Sequence, residues 1–251
     1  MIMEEPGDDP PPPASYRYLV EESRADGLLL ATSLRIPAHA DGGPLGRLTA
    51  VPHVYVNRRG PAHGNDVVMD EPGAVRLFVD HVAALGHRSV ALIDGPSAVD
   101  TVHRRELAAR RVCAGRGVQL TVLHADATEE GGWAATQRLL HRSAPDHRAP
   151  PTACVVGSLN QLFGVMAALR AAGLAAPADM SVVSLDEDEC LAFLDVPVTS
   201  VAMPPAELGS AAVDALIARI EQGEAGDVMI REPMRLVLRE SVAGPSADRS
   251  R

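Results

Sequence analysis

Apolar residues along this chain fall into short runs separated by longer stretches with helical spacing. Leu28–Ala31, Val51–Val56, Val90–Ile93, Ala153–Val156 and the run through Val182, Val183 and Leu185 are too short for globular helices and suit strands buried on both faces. Val118, Leu120 and Val122 predict one more strand. Between the runs, Val75, Phe78, Val82 and Leu85 share one helical face, with Pro72 in the first turn and Gly86 as a left-handed stop. Further helices are predicted over about 102–116, 129–142 and 159–172, the first and last stopped by Gly117 and Gly173. Pro204 and Pro205 open a long amphipathic helix through Leu208, Ala212, Leu216 and Ile220, which Gly223 ends. Strands alternating with helices of this length are the signature of βαβ units and a parallel sheet, so the fold class is α/β. At the end, Val228, Ile230, Met234, Leu236 and Leu238 alternate with Arg231, Arg235 and Arg239. That pattern predicts a single closing strand with one solvated side, and Pro233 within it favours a sheet edge. Before the first strand, the four prolines of MIMEEPGDDPPPPA predict a disordered leader, Tyr16–Arg24 has helical spacing, and Pro37–Gly46 reads as a loop.

Composition narrows the function classes. The 251 residues are 46% hydrophobic but only 3% aromatic, so the core is aliphatic. A formal net charge of −10 gives no general attraction to phosphate backbones, and this chain alone is not expected to bind DNA. Cys113, Cys154 and Cys190 lack metal-ligand spacing and read as reduced thiols of a cytoplasmic protein. No apolar run reaches 18 residues and no signal pattern opens the chain, so neither membrane insertion nor secretion is expected.

The candidate chemistry lies after the strand at Leu185. Asp186, Glu187, Asp188 and Glu189 follow where that strand ends, and open α/β sheets bind ligands outside the carboxyl ends of their strands. Asp186, nearest the strand, is the candidate acceptor for ligand hydroxyls; the other three also fit the solvated start of a helical turn. The nine histidines include no H-E-x-x-H spacing and no paired nucleophile. No enzyme activity, metal or cofactor is therefore expected.

The segments ALGHRSVALIDGP (84–96), Asp186 after MSVVSL, LDVPVTSVAMPPAELGSAAVDALI (194–217) and RLVLRES (235–241) resemble the effector-binding core of the lactose-repressor (LacI/GalR) family of bacterial transcription regulators. The resemblance runs from about Tyr16 to Pro245 in the same order. It implies a two-lobed periplasmic-binding-protein fold of type I, each lobe a mostly parallel sheet flanked by helices, with a sugar-like effector held between the lobes. It also implies a homodimer and a helix-turn-helix domain that contacts DNA. The lobes are expected at 15–69 plus 201–226 and at 70–200 plus 227–241. Crossovers are expected near Val68–Asp70, Thr199–Val201 and Val228–Glu232, with residues 1–14 as leader or strand remnant and 242–251 as a disordered tail.

Carried over residue by residue, the resemblance marks Asp186 as the effector-binding acid. Arg105 stands where the family has an arginine able to fork across two ligand oxygens; because Arg104, Arg110 and Arg111 share its helix, a solvated face remains the alternative. Asn57 stands where the family has an acid or amide after a strand, and a turn residue fits equally. Ser158, with Leu159, replaces the usual Asn-Asp pair, and Ala127 stands where relatives often place an aromatic ring. With both departures, either the family's usual sugar is not expected to bind or the ligand is expected to be larger or differently shaped. The helix-turn-helix and the first strand and helix of the first lobe have no counterpart here, and Met1-Ile2-Met3 resembles the end of that lobe's second strand. An amino-terminally shortened regulator is thus expected. The alternatives are a stand-alone sugar-binding protein or a vestigial dimerisation partner without DNA contacts, for which Leu191, Phe193, Phe163 and Met166 are the apolar candidates.

Overall fold

The computed structural model describes residues 25–31, 52–60, 65–141, 151–223, 228–230 and 234–246. The expected leader, the Tyr16–Arg24 helix, the Pro37–Gly46 loop and Pro233 lie outside them. The described residues form two compact units. The first takes the chain up to Asp70, Ala98–Thr101 and the segment from Pro204 to Glu232; the second takes Glu71–Ser97, Val102–Met203 and the chain from Pro233 on.

In the first unit, β1 (Leu28–Leu30), β2 (His53–Val56), β3 (Asp66–Met69) and β9 (Val228–Ile230) pair in the order β1-β2-β3-β9, all parallel. Helix α5 (Pro205–Gln222) packs against these strands through buried Leu208 and Ala212. Gly223, at φ 76°, closes it in the left-handed conformation that glycine adopts without strain.

In the second unit, six strands pair in the order β10-β8-β7-β6-β4-β5: β4 (Ser89–Asp94), β5 (Gln119–His124), β6 (Ala153–Val156), β7 (Ser181–Ser184), β8 (Thr199–Ala202) and β10 (Arg235–Val237). All neighbours are parallel except β10, which runs antiparallel to β8. The central strands show why their sequences are unbroken apolar runs. Val90, Leu92, Ala153, Val155 and Val183 face one core cluster, whereas Ala91, Ile93, Cys154, Val156 and Val182 face the other. Alternate side chains leave opposite faces of a strand, and here both faces are covered. Helices α1 (Glu71–Ala84) and α2 (Asp100–Arg116) contribute to the first cluster; α3 (Glu129–Leu140) and α4 (Leu159–Ala171) contribute to the second.

Three expectations need correction. The closing stretch is two strands rather than one, β9 in the four-stranded sheet and β10 in the six-stranded sheet; alternation along a sequence cannot show a change of partner. Both do lie at the end of the described strand order. Strand β3 had no strand prediction, although all four of its residues are buried; the acid that opens it broke the apolar run. Finally, ordered chain continues past Ser241 into the region expected to be a disordered tail. Ala243 donates its N–H to Ser181 Oγ at 3.1 Å and accepts from the Ser181 hydroxyl at 2.9 Å and from His87 Nε2 at 2.7 Å.

His87 anchors that segment. Its ring is 1% exposed, and Nδ1 lies 2.7 Å from Thr152 Oγ1. Burial pushes its pKa below the ordinary histidine value. A depressed folded-state pKa means that the unfolded chain binds the proton more tightly. The resulting stability is present above pH about 6.5 and is lost as pH falls through that value. Between pH 7 and pH 5.5 the wild type is expected to lose more melting temperature, or gain less, than His87→Gln, a neutral donor and acceptor, in a thermal melt; equal slopes would refute this role.

Candidate functional site

Three adjacent strands of the second unit end in polar residues. Strand β4 closes on Asp94, β6 runs into Gly157 and Ser158, and β7 runs through Leu185 into Asp186. A buried strand ends when its backbone reaches a turn, so side chains at these positions no longer need to be apolar. Asp186 is half-buried. Its Oδ2 accepts from the Leu159 N–H at 3.1 Å, and Ser184 brackets its peptide, donating to the Asp186 carbonyl at 2.7 Å and accepting from its N–H at 3.1 Å. Burial raises the Asp186 pKa, opposed by the Leu159 N–H and by the positive charge of Arg105.

Arg105 reaches the same strand ends from α2. Its Nη1 donates to the Gly157 carbonyl at 3.0 Å, and its Nε lies 3.2 Å from Asp94 Oδ2 and 3.7 Å from Glu71 Oε2. The expected solvated-face alternative therefore fails, because Arg105 is 8% exposed. Glu71 and Asp94 are each 2% exposed, and burial raises both pKa values against the pull of the guanidinium. Gly157 lets the strands approach this closely: a Cβ there would lie 2.1 Å from Asp94 Oδ1.

Ser158 lies between the two anchored groups, with Arg105 on the preceding carbonyl and Asp186 on the following amide. Its own hydroxyl caps α4, accepting from the Gln161 N–H at 3.3 Å. The structure thus brings Asp186, Ser158 and Arg105 together. Asn57 belongs to the other unit, at the end of β2, where it adopts φ 52° and donates its N–H to the Val67 carbonyl at 2.7 Å. A left-handed asparagine is what a turn residue looks like.

Sequence reasoning missed Glu71 and Asp94. Asp94 carried the same signal as Asp186, an acid closing a buried strand, whereas Glu71 in the first turn of a helix looked like an ordinary response to the helix dipole. The other acids of the 186–189 cluster divide. Asp188 caps a single 3₁₀ turn over Glu189–Ala192, accepting from the Cys190 N–H at 2.8 Å. Glu187 instead pairs with Arg239, Nη2 to Oε1 at 2.6 Å and Nη1 to Oε2 at 2.9 Å, and this bond lowers its pKa.

Carboxylates and a guanidinium at strand ends can hold hydroxyl-bearing ligands by hydrogen bonds. Among the described residues no group of three or more histidine, cysteine, aspartate or glutamate side chains could hold a metal ion, and no helix is long and apolar enough to cross a membrane.

Comparison with known proteins agrees with this geometry. Residues 79–242 match the periplasmic binding protein-like domain. The chain is 32% identical over 235 residues to the HTH-type transcriptional regulator MalR of Streptomyces coelicolor, covering 90% of this chain and 66% of that protein. It is 29% identical over 208 residues to the lactose operon repressor of Escherichia coli, covering 79% and 54% respectively. It therefore spans between about half and two thirds of these relatives. A LacI family transcriptional regulator from Mycobacterium smegmatis superposes with a TM-score of 0.81 at 28% identity, over 94% of this chain and 86% of that one. These relatives are regulators rather than enzymes. With its parallel strands ending in Asp94, Ser158 and Asp186, this chain belongs to the LacI/GalR family, as an effector-binding core of periplasmic-binding-protein-like fold.

Proposed function

We propose that this chain senses a small polyhydroxylated effector at the strand ends around Asp186, and that effector binding modulates DNA binding by a helix-turn-helix domain supplied outside these 251 residues. The observation that carries the reading is the Asp186 carboxylate. One oxygen is anchored by the Leu159 N–H, which orients the other to accept from a ligand hydroxyl. The charge balance narrows the ligand class. Glu71, Asp94 and Asp186 lie near the Arg105 guanidinium, which already serves Gly157, Asp94 and Glu71, and Arg104 acts on Glu71 as a second positive charge, so three acids stand against two guanidinium groups. An anionic ligand would meet excess negative charge here, so neutral sugars or nucleosides fit and sugar phosphates do not.

A thermal-shift screen of neutral pentoses, hexoses, disaccharides, nucleosides and sugar phosphates tests this. A ligand at a hundred times its Kd adds about 2.7 kcal/mol of stability, enough for a clear rise in melting temperature. A neutral member should stabilise the protein, and Asp186→Ala should abolish the shift. Stabilisation by sugar phosphates alone, or turnover of any glycoside, would sink the reading.

The second part of the proposal is dimerisation through the segment after the acidic cluster. Phe193 is 85% exposed and Asp195 beside it lies on the surface, whereas Leu191 is fully buried and so drops out as a contact candidate. Phe163 and Met166 are half-buried on α4. Covering an aromatic side chain this exposed with a partner would remove its apolar surface from water, which favours association. Phe193→Asp is expected to shift the protein from dimer to monomer in analytical ultracentrifugation with its melting temperature in dilute solution little changed. An unchanged sedimentation coefficient would exclude Phe193 from the interface.

A further inference from the structure

Glu187 and Asp186 are neighbours in sequence with different partners. Asp186 faces the strand ends of β6 and β4. Glu187 is gripped by Arg239, whose Nη1 and Nη2 reach Oε2 at 2.9 Å and Oε1 at 2.6 Å. The same Arg239 Nη1 donates to the Val198 carbonyl at 2.8 Å and to Ser200 Oγ at 3.0 Å, and the Arg239 N–H donates to Thr199 Oγ1 at 3.0 Å. The fully buried Ser200 hydroxyl donates in turn to Glu187 Oε2.

Arg239 thus ties the residue after Asp186 to the beginning of β8. Side-chain exposures of 26% for Glu187 and 13% for Arg239, together with the two-point geometry, set the pair apart from an ordinary solvent-exposed ion pair, which contributes little. Adjacent Cα atoms are about 3.8 Å apart on a planar peptide. Holding the Glu187 side chain therefore restrains the backbone from which the Asp186 side chain departs.

We infer that Glu187 and Arg239 form a positioning clasp for Asp186, holding its carboxylate on the Leu159 N–H in the orientation that receives the effector. This rests on the effector-binding reading of Asp186. It assigns Arg239, 53 residues further along the chain, no ligand contact; Arg239 acts through Glu187. Strand β8 ends at Ala202, and Met203 after it is the last residue of its unit before the chain passes to Pro204 in the other. The clasp accordingly joins the proposed effector acid to the strand by which the chain leaves the unit.

The test needs no effector, so its failure is separate from failure of the ligand screen. The Asp186 carboxyl carbon is titrated by NMR in the full chain, and hydrogen exchange of the Leu159 amide is followed, in wild type, Glu187→Gln, Arg239→Gln and Arg239→Lys. Glu187→Gln is decisive because electrostatics and positioning predict opposite signs. Removing a neighbouring anion would by itself lower the Asp186 pKa. Loss of the clasp, which releases Asp186 from the Leu159 N–H, raises it. The expected result is a higher Asp186 titration midpoint in Glu187→Gln and Arg239→Gln, Leu159 amide exchange faster by about tenfold or more, and partial recovery in Arg239→Lys. A lower midpoint in Glu187→Gln, or Leu159 exchange that changes only in step with every other amide of the unit, would overturn the inference. Should Arg239→Gln not fold, the near-isosteric Glu187→Gln alone decides the outcome.

Discussion

Arg105→Ala is expected to destabilise the second unit by about 3–5 kcal/mol, the usual cost of removing one partner from a buried ionic group. The reason lies in what would be left behind. Glu71 and Asp94, each 2% exposed, face Arg105 Nε at 3.7 and 3.2 Å, and without the guanidinium each loses the cation that acts on it most strongly. The loss should depend on pH with a defined sign. Both carboxyl groups already have pKa values raised by burial, and the substitution raises them further. A carboxyl whose folded-state pKa exceeds its unfolded value takes up a proton on folding. Its destabilising effect is complete above the folded pKa and is relieved as pH falls toward the unfolded value near 4. Urea unfolding should therefore show Arg105→Ala regaining part of its deficit between pH 7 and pH 5, and Glu71→Gln in that background should regain part of it at pH 7. A deficit that stays constant over that range would mean that Arg105 contributes packing rather than charge.

Gly164→Ala is expected to be the most damaging single-methyl addition in the helical layer, costing about 3 kcal/mol. A Cβ at Gly164 would lie 1.9 Å from the Glu129 carbonyl oxygen and 2.6 Å from the Trp133 nitrogen, and one at Gly132 would lie 2.1 Å from the Gln161 carbonyl oxygen. These are backbone atoms of the facing helix, so α3 and α4 would have to move apart as whole elements. Buried Gln161, which donates from Nε2 to the Ala125 and Asp126 carbonyls at 3.2 and 3.0 Å, would move with them, as would the turn that carries Ser158. Gly209→Ala in α5 is the control. Nothing lies within 4 Å of a Cβ there, so alanine should stabilise the helix by up to about 1 kcal/mol. Chemical denaturation of the two variants separates the cases by sign, and a neutral Gly164→Ala would show that the helix crossing is looser than the geometry requires.

Much of this architecture was legible because it depends on local patterns. The apolar runs at Val90, Ala153 and Val182 are continuous since their strands are covered on both faces, and the glycine stops at Gly86, Gly117, Gly173 and Gly223 all adopt positive φ. Asp186 stood out as an acid closing such a run. What escaped depends on contacts distant in sequence. Nothing near Arg105 reveals that Glu71, 34 residues earlier, faces its Nε. The division of the closing stretch between two sheets is equally invisible in its alternation. Two signals were present and unused: Ser158 and Gln161 form the S-x-x-Q pattern of a helix cap, and the four-acid cluster reads differently once Asp188 is taken as the cap of the following turn, leaving Glu187 in need of a partner.

The central claim is that Asp186 receives the effector. Titration calorimetry of the neutral ligand that most stabilises the wild type, repeated with Asp186→Asn, tests it most directly. Hydrogen bonds to a charged group are worth about 1.5–3 kcal/mol, so affinity should fall by about tenfold to a hundredfold while the melting temperature of the free protein stays close to wild type. An unchanged Kd in a folded Asp186→Asn variant would contradict the claim and place the effector elsewhere.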